Sequence, residues 1–127
     1  MHYILAITVD ESVPAPEPGS ADFEAGRQAW ADYGRALKAA GVLVDGAGLQ
    51  PSETATTLRL TLGQDPTVID GPYAESKEQL AGFYHIDVAD LDDAVKWAGQ
   101  IPVPFGVVEV RPARLIPGAD GAPVVAN

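Results

Sequence analysis

The stretch that decides the fold is "HYILAITV", residues 2–9, near the start of the chain. β-branched and aromatic residues dominate it, and its apolar residues occupy both alternating faces, which predicts a strand buried on two sides. Such a strand belongs in the middle of a sheet whose two faces are both covered. The rest of the sequence therefore has to supply or recruit a cover for each face.

The segments that follow predict two helices. Residues 10–20, "DESVPAPEPGS", contain three prolines and a glycine and predict a long acidic loop. Ser20 is then a suitable N-cap for a helix whose apolar stripe includes Trp30 and Leu37, and Gly41 is suited to follow its last turn. A second helix is predicted after the N-cap Asp90, in "LDDAVKWA".

The remaining patterns predict strands. They are "VLVDGAGL" (42–49), "TTLRLTL" (56–62), "TVID" (67–70), "FYHIDV" (83–88) and "GVVEVRP" (106–112). The second of these alternates leucine with polar residues, and "GQDP" then predicts a hairpin turn that leads into "TVID". The order β-α-β, hairpin, β-α-β predicts an α+β ferredoxin-like sandwich with an antiparallel sheet. We expect one domain over residues 1–127, with a C-terminal tail at 112–127.

Two short helices can cover only one face of that sheet, whereas the first strand is apolar on both. Another copy of the same sheet would cover the second face at little cost. The sequence therefore predicts a homodimer with sheet packed on sheet, which is a dimeric α+β barrel.

Composition narrows the classes of function. The 127 residues include 18 acidic and 8 basic side chains, a net charge of −10, which disfavours nucleic acids and anionic membranes as partners. Cysteine is absent and only His2 and His85 carry imidazole, so no metal site or cofactor is expected. The apolar N-terminal run is too short to span a bilayer and lacks the features of a signal peptide, so a cytoplasmic location is expected.

Residues 68–84, "VIDGPYAESKEQLAGFY", place an unusual number of polar groups between two apolar runs. They indicate either a solvated turn or the rim of a ligand site, in which Asp70 acts as acceptor or general base. Farther along the chain, an arginine within a strand is suited to hold a carboxylate. The candidate ligand-binding residues are Asp70, Gly71, Pro72, Tyr73, Glu75, Lys77, Tyr84 and Arg111.

Two longer stretches carry a resemblance to a known family. Residues 70–98, "DGPYAESKEQLAGFYHIDVADLDDAVKWA", together with the closing "GVVEVRP", resemble the DGPF-type branch of the YCII-related proteins. Residues 39–59, "AAGVLVDGAGLQPSETATTLR", are similar to the helix end and following strand of that family. Tyr73 stands where the name of the branch implies phenylalanine, which adds a hydroxyl group.

The resemblance implies a ferredoxin-like fold assembled as a dimeric α+β barrel. It implies little about activity, because the role of the family is largely undefined; some members accompany extracytoplasmic-function sigma factors in bacteria. The broader group has an Arg-x-x-His pattern on the first helix. Here that stretch reads "RQAW", so Arg27 matches but Trp30 replaces the histidine.

Three hypotheses of function remain open. The first is a dimer that binds a small molecule without turnover, in a cleft between sheets and with a regulatory role. The second is a cofactor-free acid/base enzyme of isomerase or lyase type, with Asp70 or Glu75 as its base. The third is a partner-docking protein that uses the acidic loop at 10–20. The missing helix histidine favours the first.

Overall fold

The structure is a computed structural model, and it describes residues 1–118. In chain order its elements are β1 (His2–Asp10), α1 (Ala21–Ala39), β2 (Leu43–Gly48), β3 (Thr56–Arg59), β4 (Thr67–Asp70), β5 (Glu78–Asp87), α2 (Leu91–Ala98) and β6 (Gly106–Pro112). A 3₁₀ turn at Ser52–Thr54 lies between β2 and β3. Part of the predicted tail, residues 119–127, lies outside the described residues.

Four strands form the main sheet in the order β2-β5-β1-β6, and every neighbouring pair is antiparallel. Helix α1 connects β1 to β2, and α2 connects β5 to β6, so each helix joins two strands that are separated by a third. This is the split β-α-β arrangement of a ferredoxin-like fold. The predicted α+β class and antiparallel sheet are confirmed.

Alternation along β1 divides the molecule into a core side and an open side. Tyr3, Leu5 and Ile7 are buried and belong to one cluster with residues of both helices, including Leu37. The residues between them, among them Ile4 and Ala6, point to the other face and are only half-buried. No helix of the described chain covers that face, which we call the open face.

Both helices begin where the sequence predicts. The Ser20 hydroxyl accepts a hydrogen bond of 3.1 Å from the Phe23 amide, and the Asp90 carboxylate accepts one of 2.9 Å from the Asp93 amide. Each bond satisfies a backbone donor that the first helical turn would otherwise leave unpaired. At the far end of α1, Gly41 adopts a positive φ of 72°, as expected of the residue that follows a helix.

The predicted hairpin forms, but it is shorter and more exposed than its pattern suggests. Strands β3 and β4 make a separate two-stranded sheet, because the four residues of "TVID" pair only with positions 56–59. Leu60 and Leu62 therefore lie beyond the paired region, and Leu62 is fully exposed. All four residues of β4 are exposed as well. The apolar runs on either side of the polar stretch 68–84 predict two buried strands, and this prediction is wrong for the first of them.

Strand β5 also begins earlier than expected. It starts at Glu78, so Glu78 and Gln79 pair with the end of β1 instead of lying in the connection. The register between β1 and β5 shifts after Ile7: Ile7 pairs with Gly82, whereas the following residue, Thr8, pairs with Leu80. Because of this shift, the polar start of β5 continues the sheet.

Candidate functional site

The Asp-Gly-Pro-Tyr turn, residues 70–73, is hydrogen-bonded to the start of the hairpin. Gly71 has a φ of 99°, a left-handed conformation that favours glycine. Its amide donates to the Ala55 carbonyl at 2.8 Å, and its carbonyl accepts a 2.7 Å bond from the Thr57 hydroxyl. Asp70 is exposed, and its carboxylate accepts no hydrogen bond from the described chain. The turn is therefore held by two hydrogen bonds to the backbone of Gly71, and the Asp70 carboxylate takes part in neither.

The segment that follows this turn is held in place by the buried side chain of Gln79. Its side chain lies at the start of β5, is only 8% exposed, and donates to the carbonyls of Ala74 and Ser76 at 2.7 Å each. Two bonds from one amide nitrogen fix residues 74–76 against the sheet. The stretch that contains Gln79 was expected to be a solvated turn or the rim of a ligand site, and neither interpretation predicted a buried Gln79.

A cavity of about 330 Å³ lies beside the turn. Pro72, Tyr73 and Gln79 line it, together with Ser52 of the 3₁₀ turn. Asp70, Gly71, Glu75 and Lys77 are not among its lining residues. Tyr73 is 80% exposed, so this cavity is a shallow surface feature with one aromatic wall.

Two charged side chains near the same end of the sheet, Lys77 and Glu11, already have protein partners. Lys77 lies 3.6 Å from the Asp10 carboxylate, which is a surface ion pair of small energetic worth. At the start of the acidic loop, the Glu11 carboxylate accepts bonds from the amide and hydroxyl of Ser52. These bonds lower the pKa of Glu11. Both contacts connect the end of β1 with the segments around the shallow cavity.

The remaining two candidates lie elsewhere. Tyr84 faces α1, where its ring stacks with Trp30 at 6.5 Å and meets Tyr33 edge-on at 5.3 Å. Arg111 lies in the edge strand β6, opposite Ile4 and in an ion pair with Glu109. The structure therefore does not bring the eight candidate residues together at one site.

Tyr84 instead lines a second, larger cavity of about 440 Å³ between α1 and the sheet. Ile7, Val9 and Leu43 give it apolar walls, and Trp30 contributes a second aromatic ring. This volume falls in the range of small-molecule pockets. We call it the α1 cavity.

Three glycines line the α1 cavity, and one of them leaves open space there. Gly46, Gly48 and Gly82 line it from the strand pair β2–β5. A Cβ at Gly82 would lie 2.6 Å from the Ala47 carbonyl oxygen, so glycine is needed for the strands to approach. A Cβ at Gly48 would meet no atom within 4 Å. The alternating glycines of "DGAG" were the sequence signal for this cavity, but "VLVDGAGL" was interpreted only as a strand.

The α1 cavity is almost uncharged. Among the described residues that line it, only Tyr84 has an ionisable side chain, and burial raises the pKa of its hydroxyl. The Tyr33 hydroxyl nearby donates to the Trp97 carbonyl at 2.9 Å. Within residues 1–118 the Tyr84 hydroxyl forms no such bond. The cavity therefore offers an apolar space with a protonated phenol that forms no hydrogen bond to the described chain.

The two histidines meet on the open face. His2 Nδ1 lies 2.9 Å from His85 Nε2, so one ring donates and the other accepts. Asp87 lies beside them, 2.9 Å from the N-terminal ammonium group and 3.7 Å from His2 Nε2. Within residues 1–118 no cluster of three or more histidine or acidic side chains is arranged to hold a metal ion. The expectation that no metal or cofactor is required stays a prediction.

Neither helix of the described chain has the combination of length and apolar character that a membrane span requires.

Comparison with known proteins places the chain in a family. An uncharacterized protein of Rhizobium meliloti (strain 1021) is 47% identical over 79 residues, which are 60% of this chain and 63% of that protein. The match thus spans less than two thirds of the relative's length. A model of the YCII-related domain matches residues 1–116, almost the whole of the chain. The chain therefore belongs to the YCII-related family.

Proposed function

We propose that the protein binds a small, largely apolar molecule in the α1 cavity and does not convert it chemically. The observation that carries this proposal is the lining of the cavity, in which Tyr84 is the one ionisable residue among those described. General acid–base chemistry needs a group whose pKa lies near the working pH. A phenol whose pKa is raised above its ordinary value does not meet that need.

The position of the carboxylates supports binding over turnover. Asp70 and Glu75, the bases of the alternative acid/base hypothesis, line neither of the two cavities described above. The helix position that carries histidine in the broader family is occupied by Trp30, which lines the α1 cavity as an aromatic wall. The residues around the cavity thus provide shape and apolar contact.

We further propose that the protein acts as a homodimer through the open face. Cross-strand neighbours on that face include Thr8, Leu80 and Val107, and both of the last two are more than half exposed. Half-buried Ile4 and Ala6 lie beside them on the central strand. An exposed apolar sheet face of this kind favours association with a second copy.

The binding proposal is tested with 2-ethylnaphthalene, an uncharged probe, by amide chemical-shift titration. The wild type should show saturable shifts at residues of the α1 cavity. Gly48→Leu should lower the affinity at least about tenfold, because its side chain would occupy space that is now empty. Gly34→Leu is the matched control, since a Cβ there also meets no atom within 4 Å but the residue lies on α1 outside the cavity lining.

Absence of saturable binding to the wild type would contradict the proposed function. Equal affinity of the wild type and Gly48→Leu would show that the probe binds elsewhere.

A further inference from the structure

We propose that the ligand of the α1 cavity is an uncharged aromatic compound that carries a carbonyl or similar oxygen acceptor, and that the Tyr84 hydroxyl selects it by donating a hydrogen bond. This inference rests on the proposed function, because it specifies the chemistry of a molecule bound at the same site. It depends on three features of the cavity: its hydrogen-bond donors, its charge and its aromatic walls.

The first feature is an unused donor. A buried tyrosine normally gives its hydroxyl a partner, as Tyr33 does with the Trp97 carbonyl at 2.9 Å, whereas the hydroxyl of half-buried Tyr84 is open to solvent or to a ligand. Tyr84 packs against Tyr33 but donates to no group of the described chain. The indole N–H of Trp30, whose ring stacks with that of Tyr84, also lacks an acceptor within residues 1–118. Two residues that line one cavity therefore carry donors without a hydrogen-bond partner in the described chain.

The second feature is the protonation state of the phenol. Burial raises the pKa of Tyr84, so its hydroxyl keeps the proton through the neutral range and acts as a donor. A ligand that supplies only another donor would leave this group less well satisfied than one that supplies an oxygen acceptor. The site thus distinguishes ligands by the acceptor that they present.

The third feature is charge. The described residues that line the cavity include no lysine, arginine, histidine, aspartate or glutamate. A carboxylate ligand would lose its hydration without gaining a cation, in a chain whose net charge is already −10. An ammonium ligand would find no carboxylate in the lining. Neutral acceptors such as ketones, lactones and quinone-like carbonyls meet the chemistry of the site.

The shape of the walls favours an aromatic body. The rings of Trp30 and Tyr84 are inclined by only 19°, and their centroids lie 6.5 Å apart. A flat unsaturated ligand presents faces and edges that suit contact with two such rings. Gly48 leaves room for such a body, because a Cβ there would meet no atom within 4 Å.

The test compares three probes of the same shape: 2-acetylnaphthalene, which has a carbonyl; 2-ethylnaphthalene, which lacks one; and the anion 2-naphthoate. Tyr84→Phe keeps the ring and removes only the hydroxyl. We expect the affinity for 2-acetylnaphthalene to fall about fivefold in this variant, the change appropriate to one neutral hydrogen bond. The affinity for 2-ethylnaphthalene should change less than twofold, and 2-naphthoate should bind the wild type more weakly than 2-acetylnaphthalene.

Tyr33→Phe is the matched control, because it also removes one phenol from the same aromatic cluster. It breaks the bond to the Trp97 carbonyl, so it should lower thermal stability while the preference for 2-acetylnaphthalene over 2-ethylnaphthalene is retained. Equal loss of both naphthalenes in Tyr84→Phe, or tighter binding of 2-naphthoate, would overturn the inference and leave the proposed function intact. If none of the three probes binds the wild type, both proposals fail.

Discussion

At the scale of single residues, the pair His2–His85 links the stability of the protein to pH. The two ring nitrogens lie 2.9 Å apart, and one of them donates its proton to the other, so protonation of the acceptor nitrogen would remove this hydrogen bond. Burial lowers the pKa of His85, and the neighbouring His2 lowers it further. Asp45, which pairs across from His85, and Asp87 oppose this effect without cancelling it.

The sign of the effect follows from linkage. With a lowered pKa in the native state, His85 takes up a proton more readily when the chain is unfolded, so stability falls as the pH decreases below about 6.5. The fall should end once the pH is below the native pKa. Urea unfolding at steps from pH 7.5 to pH 5 should show this slope in the wild type and a flatter one in His85→Gln. An unchanged slope in the variant would assign the pH dependence to other groups.

Asp70 is the residue on which the sequence-based site hypothesis depended most. Its carboxylate accepts no hydrogen bond from the described chain, so Asp70→Asn should change the free energy of unfolding by no more than about ±0.5 kcal/mol. Because Asp70 does not line the α1 cavity, the affinity for 2-ethylnaphthalene should also stay the same. Thermal melts and the chemical-shift titration check the two expectations. A loss of probe affinity in Asp70→Asn would show that the turn at Asp70 belongs to the binding site after all.

At the scale of elements, local signals predicted the helices and the order of strands. The hydrogen bonds of the N-caps Ser20 and Asp90 join residues three positions apart, and burial along β1 alternates every two residues. Because these signals lie between near neighbours in the chain, they can be recognised in a single sequence. The sequence also placed Tyr84 on the same face as Ile86, which is part of the core. The assignment to the DGPF-type branch stays a prediction.

What the sequence did not reveal depends on contacts between distant segments. That Trp30 stacks with Tyr84 beside one cavity depends on how α1 crosses the sheet, and that Gln79 is buried depends on where β5 joins β1. The hairpin shows the same limit, because its alternating leucines predict a buried face but no element of the described chain covers Leu62. A pattern specifies a face, and tertiary packing decides whether that face is covered.

The hairpin should accordingly contribute little to stability. Leu62→Ala removes a side chain that is fully exposed and should change the free energy of unfolding by no more than about ±0.5 kcal/mol. Leu37→Ala, the same substitution on α1, removes a side chain with 0% exposure and should cost about 2–5 kcal/mol. Chemical denaturation of the two variants gives the comparison. A large loss in Leu62→Ala would show that the hairpin packs against something in solution.

At the scale of the whole molecule, charge and the open face act in opposite directions. A net charge of −10 on each chain makes two copies repel, whereas the apolar residues of the open face favour contact. Repulsion between exposed charges is screened by salt, while apolar contact is not. Association through the open face should therefore strengthen as the ionic strength rises.

Sedimentation equilibrium at micromolar concentration tests this with two alanine positions. Ala6→Glu places a carboxylate in the middle of the open face and should raise the dimer dissociation constant about tenfold or more. Ala25→Glu, on the exposed side of α1, adds the same charge outside that face and should leave the dimer nearly as stable as in the wild type. In the wild type and in Ala25→Glu, raising the salt from 0.01 to 1 M shortens the screening length from about 30 to about 3 Å and should tighten association. A wild type that stays a folded monomer at every salt concentration, or an Ala6→Glu variant that dimerises like Ala25→Glu, would show that the open face is not the interface.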